Sequence, residues 1–153
     1  MLARIIVPLA LAVTATLPLH AGSSDAMQLS GQVYREIVAR DGNGAVRRTL
    51  MPASRLTSGD RLVFVIRYSN LGSAPVGDYI VASPFPATVR YDDNPRQPVE
   101  VSVDGGRSWG RFAAVTRASM GPGADRVTNV RLRLRAAVQP GETGQMSYRG
   151  VVR

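Results

Sequence analysis

The sequence contains no cysteine and no lysine, and its single histidine, His20, sits in an apolar N-terminal run. Without cysteine there are no disulfides, thiol nucleophiles or thiolate metal sites. Once a leader carrying His20 is removed, the remaining chain also lacks imidazole. Serine triads, cysteine–histidine pairs and nearly all zinc enzymes then lose an essential base, nucleophile or ligand. A helical apolar repeat of useful length is missing past residue 21 as well.

What is present is arginine. It accounts for all 19 basic residues, against 11 acidic ones, and the formal net charge is +8. Such a balance ordinarily points to phosphate or acidic-lipid partners. No basic block is longer than Arg47-Arg48, however, and a GC-rich genome yields arginine without selection for a ligand. Nucleic acid is not an expected partner, and an acidic polysaccharide or an anionic cell surface suits the chain better.

The first 21 residues read as a signal peptide: Arg4, an apolar run from Ile5 to Leu19, then the small Ala21 before Gly22-Ser23-Ser24-Asp25. Cleavage is expected after Ala21, with Ser24-x-Ala26 as a second site. The run falls short of the ~20 residues of a spanning helix and is interrupted by Pro8 and Pro18. No stable transmembrane anchor is therefore expected after cleavage. The protein is placed in the periplasm, in the medium or on the cell surface, with residues 22–153 as one domain.

Within that domain, short alternating segments are broken by Gly, Pro, Asn and Asp every 8 to 12 residues or about that, the pattern of an all-β sandwich or barrel. The expected strands are Gln32 to Ala39, Ala45 to Met51, Arg61 to Ser69, Asp78 to Ser83 and Thr88 to Tyr91, followed by Val99 to Val103, Ser108 to Ala114, Val127 to Ala136 and Gln145 to Val152. Asp41-Gly42-Asn43-Gly44 supplies a tight turn. Pro84-Phe85-Pro86 stops a strand, and Ser119 to Asp125 reads as a surface loop. Arg61 to Ser69 carries Leu62, Phe64, Ile66 and Tyr68 on one face, and its other face begins apolar and ends polar, as a central strand would. The fold class is all-β, an antiparallel β-sandwich of about seven to nine strands following the cleaved signal peptide.

Ser58-Gly59-Asp60 leads into Leu62 to Gly72, which ends Tyr68-x-Asn70-x-Gly72, with Ala74-Pro75 and Pro84-Phe85-Pro86 beyond it. Further on, Val130 to Leu134 is followed by Pro140-Gly141-Glu142-Thr143-Gly144 and a closing strand. In this order the two stretches resemble the conserved repeat domain of unknown function found in many bacterial and archaeal surface proteins. The resemblance implies an immunoglobulin-like sandwich. Ser83 stands where that family usually has Asp, so no carboxylate role is carried over to this position.

Ser102-Val103-Asp104-Gly105-Gly106-Arg107-Ser108-Trp109 matches the Asp-box pattern Ser-x-Asp-x-Gly-x-Ser/Thr-Trp seen in sialidases and other β-propellers. Physically it specifies a structural hairpin of Ser102, Asp104, Gly106, Ser108 and Trp109, in which the Asp104 side chain ties down turn amides, Gly106 accepts positive φ and Trp109 packs beneath. Most carboxylates fall in turns, including Asp41, Asp60, Asp78, Asp92, Asp93 and Asp125, where Asp serves the backbone by default. A two-carboxylate hydrolase is thus the weakest reading. Asp92-Asp93-Asn94 and Asp41-x-Asn43 offer oxygen ligands to Ca²⁺ but lack full calcium-loop spacing. No cofactor, metal or catalytic residue is assigned.

Arg131, Arg133 and Arg135 alternate with Val130, Leu132 and Leu134, which places three guanidinium groups on one strand face. That is either a solvated sheet face or a binding stripe for an anionic partner. Trp109, Tyr34, Tyr79, Tyr91 and Tyr148 form a sugar platform or, as is usual in a small sandwich, mostly core. The expected function is an exported, non-enzymatic structural or adhesive surface module acting through protein–protein contacts or self-association in the cell envelope, with Ala26 to Ser30 as a strand to donate. The alternative is a soluble periplasmic or surface protein that binds an acidic glycan through the arginine face.

Overall fold

The computed structural model describes residues 26–94, 99–119 and 126–153. The expected signal peptide and its cleavage sites lie outside these residues, as does most of the expected loop at Ser119 to Asp125.

Among the described residues the strands are β1 (Met27–Arg40), β2 (Val46–Pro52), β3 (Arg61–Asn70), β4 (Ile80–Pro84), β5 (Val89–Asp92), β6 (Glu100–Ser102), β7 (Gly110–Arg111), β8 (Asn129–Arg133) and β9 (Thr143–Val152), with one helix, α1 (Phe112–Ala118), after β7. They form two antiparallel sheets, one ordered β2-β1-β3-β9-β5 and the other β4-β8-β6-β7. From β3 to β6 the chain changes sheet at every connection, and it returns to the first sheet between β8 and β9.

The alternation in β3 has the consequence expected of it. Leu62, Phe64 and Ile66 face the second sheet and join Tyr148 of β9, Val81 of β4, Val101 of β6 and Val130 and Leu132 of β8 in one core. Val101 and Val130 are completely buried, and burying a side chain of this size stabilises by roughly 1.5–3 kcal/mol. Phe64 stacks on Tyr148 at a centroid distance of 4.7 Å, and Phe85 meets Tyr91 edge-on at 5.8 Å. The other face of β3 is covered near Val63 and Val65 and becomes polar at Arg67, as a central strand emerging from the core should.

Turn chemistry sets the strand ends. Gly59 has φ +91°, and the Asp60 carboxylate accepts the Thr57 amide at 2.8 Å, fixing the entry to β3. At the exit, Asn70 is fully buried. Its side-chain amide donates to the carbonyls of Ala74 and Val138, each at 2.9 Å, and its carbonyl accepts the Gly72 amide at 2.9 Å. Gly72 itself has no room for a side chain, since a Cβ there would lie 2.6 Å from Ala26.

Three expectations need correcting. Ser108 to Ala114 is not a strand: β7 has two residues, and Phe112–Ala118 is helical. Ala113, Ala114 and Ala118 favour helix, while Phe112 turns inward to meet Tyr91 at 5.2 Å. The N-terminal segment is not available for donation, because Met27 to Ser30 already pair with β3, from Met27 opposite Asn70 to Ser30 opposite Arg67. Finally, the strand expected at Val127 to Ala136 stops at Arg133, so Arg135 lies beyond β8.

Candidate functional site

The hairpin between β6 and β7 is built around one carboxylate. Asp104 Oδ1 accepts the backbone amides of Arg107 at 3.1 Å and Ser108 at 3.0 Å and the Ser102 hydroxyl at 2.6 Å, and its Oδ2 accepts the Ser108 hydroxyl at 2.5 Å. The Ser102 and Ser108 hydroxyls, then the turn amides, hold the Asp104 carboxyl well below the usual carboxylate range. Ser102, completely buried, also receives the Gly106 amide on its hydroxyl at 2.9 Å. Gly106 has φ +88°, and a Cβ there would touch the Trp109 ring at 3.4 Å. All five residues expected in the hairpin therefore meet in one tied turn, with Thr128 joined to it through the Gly105 amide at 3.0 Å.

Beside the hairpin lies the arginine face. Val130 and Leu132 point into the core, so Arg131 and Arg133 point outward. Arg131 donates from Nε and from a terminal nitrogen to the same Glu100 oxygen, each at 2.8 Å. Its guanidinium carbon stands 4.7 Å from the centre of the Trp109 ring. Glu100 lies opposite Arg131 on one side and opposite Arg111 on the other. Arg133 approaches Asp78 at 3.8 Å, a carboxylate 87 % exposed. Arg135 joins them even though it lies past the strand: Arg111, Arg131, Arg133, Arg135, Glu100 and Val99 line a depression of about 150 Å³. Arg111 is the member that the sequence pattern did not reveal, because only the β6–β7 register brings it there.

The proposed aromatic platform is dispersed. Tyr79, Tyr91 and Tyr148 are core residues, and burial pushes the hydroxyl pKa of each upward. Tyr34 donates to Gln32 at 2.5 Å on the outer face of the first sheet. The one tryptophan has Arg131 over its ring.

Of the two stretches considered for Ca²⁺, Asp41 has a backbone role. It accepts the amides of Asn43 and Ala45, each at 3.0 Å, and these bonds, with Arg47, hold its pKa down. The carboxylate that sequence reasoning missed is Glu36, which sits on the outer face of β1 with its side chain only 2 % exposed. Arg48 of β2 reaches it at 3.0 Å and Arg149 of β9 at 3.2 Å, so one buried carboxylate joins three strands.

Beyond Glu36, β1 no longer pairs with β3. β2 runs along residues 34–40 of β1 as an arm at the sheet edge; residues 37–40 and 46–49 extend past β3, and every residue of β2 is exposed. Ile37, Val38, Val46, Leu50 and Met51 are uncovered apolar side chains on this arm. Their alternation puts Val38, Val46 and Leu50 on one face and Ile37 and Met51 on the other. At the base of the arm, an apolar cleft of about 550 Å³ lies against Val33, Leu56, Leu62 and Val152.

No helix among the described residues is long and apolar enough to cross a membrane. No protein-family model matches the chain. Neither a curated protein nor a solved structure matches it significantly.

Proposed function

We propose that the protein is an exported, non-enzymatic structural or adhesive module of the cell envelope, acting through protein–protein contacts made by the β1–β2 arm. The finer description of its two-sheet fold as immunoglobulin-like, and its kinship with the conserved repeat domain of surface proteins, belong to the same proposal. The turn chemistry at Gly59-Asp60 and Asn70-x-Gly72 supports them.

The observation that carries this reading is the arm itself, an edge strand with apolar side chains uncovered on both faces. An open edge of this kind is a template for another strand. The occupant we assign is a second copy of the chain. Two β2 strands related by a twofold axis at Thr49 pair antiparallel with Arg48 opposite Leu50 and Arg47 opposite Met51, so that no arginine faces another. The arm is also prepared electrostatically for a like-charged copy. Arg48 is paired with Glu36 at 3.0 Å, a carboxylate it shares with Arg149, and Arg47 with Asp41 at 3.3 Å.

The test is the molar mass of the purified protein by size-exclusion with light scattering, over a concentration series at low and high salt. Growth of mass with concentration that persists in high salt is the expected result. A monomer at every concentration contradicts the proposal. The arginine depression favours a second reading, a soluble periplasmic or surface protein that binds an acidic glycan.

A further inference from the structure

Four guanidinium groups from three segments of chain converge on the depression: Arg111 from β7, Arg131 and Arg133 from β8, and Arg135 from the segment after it. Among the described residues one carboxylate, Glu100, lines it with them, and the exposed Asp78 approaches Arg133 at 3.8 Å. Among the described residues Glu100 engages Arg131 alone, through the two bonds to one oxygen, and Trp109 holds the same guanidinium in place by its ring.

We propose that this depression is a carboxylate-binding site for an acidic polysaccharide, in which Arg111, Arg133 and Arg135 receive the sugar carboxylate above a floor formed by Glu100, Arg131 and Trp109. The assignment rests on the glycan-binding reading and gives it a location and a ligand group. The protein already displays the recognition chemistry, because Glu100 is a carboxylate seated on one of these arginines. The volume of about 150 Å³ admits one such group at a time. Successive carboxylates along a polymer would then engage successive copies of the protein. A lipid surface fits less well, since the large exposed apolar side chains among the described residues are on the β1–β2 arm and at Leu71.

Glu100 has a second consequence. It competes for Arg131, so removing its charge opens a further donor fork to the ligand and strengthens binding. A residue that only filled space would not act in this direction.

The experiment is calorimetric titration of the full protein with polygalacturonate oligomers. Fully methyl-esterified oligomers serve as the uncharged match, and phosphatidylglycerol vesicles as the phosphate source. Binding should weaken with salt and vanish on esterification. The Arg133→Ala/Arg135→Ala variant, altered only at exposed positions, should bind about tenfold more weakly or worse. Glu100→Gln should bind more tightly. Arg90→Ala, which removes one charge from β5 of the other sheet, should stay within about twofold of the parent. If the polymer binds but is indifferent to the Arg133, Arg135 and Glu100 substitutions, or Arg90→Ala weakens it equally, the site is wrong while the glycan reading stands. If the vesicles bind and the polymer does not, both are overturned.

Discussion

The guanidinium of Arg131 lies 4.7 Å from the centre of the Trp109 ring. Because the same group is bound by Glu100 at 2.8 Å, one side chain fastens β8 to β6 and to the hairpin that follows it. Cation–π attraction contributes about 0.5–2 kcal/mol in such a setting. Arg131→Ala should therefore lower stability by about 1–2 kcal/mol. It should also shift the emission of Trp109, the only tryptophan in the chain, to longer wavelength as the ring becomes wetter. An unchanged spectrum would mean that the ring is shielded by something else.

Asp104 gives the hairpin an acid dependence with a defined direction. Its pKa is lowered in the folded protein, so the fold favours the ionised form. The resulting stability is fully present above the ordinary value of 3.8 and is lost as pH falls below it toward the folded pKa. The stability gap between the parent and Asp104→Asn should be constant from neutral pH down to about 4 and narrow at lower pH. In NMR titration the Asp104 carboxyl should remain ionised through the range in which ordinary aspartates protonate. Normal titration would remove the hydroxyl and amide bonds from the account.

Asn70 is completely buried, and its side chain satisfies two carbonyls and one amide. Asn70→Ala strands all three, at a cost of roughly 2–4 kcal/mol by denaturant unfolding. Asn70→Asp should be no better, because a carboxylate cannot donate to the carbonyls of Ala74 and Val138.

Gly150 sits where β9 passes under Phe85 and beside β5. A Cβ would press into Val89, come within 3.0 Å of the Arg90 carbonyl oxygen and lie 3.1 Å from Phe85. Gly150→Ala should therefore destabilise by about 1–3 kcal/mol. Gly31→Ala, in β1 with nothing within 4 Å of its Cβ, should be nearly silent or mildly stabilising in the same thermal melt.

Much of this architecture can be read from local pattern, and the rest follows from register. β3 is legible because Leu62, Phe64 and Ile66 alternate with residues of the other face. The hairpin is legible because Ser102, Asp104, Gly106 and Ser108 act within a single turn. Phe112 to Ala118 misleads because it has no side-chain N-cap and no fully buried residue, so nothing in the sequence marks a helical face. Glu36 and Arg111 matter through neighbours distant in sequence. Glu36 meets Arg149, and Arg111 reaches the depression only through its pairing with Glu100. The exposure of the arm has the same origin: Val38 and Leu50 look like ordinary alternating strand residues, and only the register carries Val38 past the start of β3 and puts Leu50 on the edge strand.

Assembly through β2 is the central claim, and it specifies a register. In the twofold pairing about Thr49, position 50 of one copy faces Arg48 of the other. Leu50→Arg then places like charges opposite one another, whereas Leu50→Glu places opposite charges there. The decisive measurement is molar mass by light scattering for the parent and these two variants at matched high concentration. The account predicts that Leu50→Arg is monomeric while Leu50→Glu still assembles. If both variants assemble like the parent, or the parent itself remains a monomer, the β2 edge is not the contact.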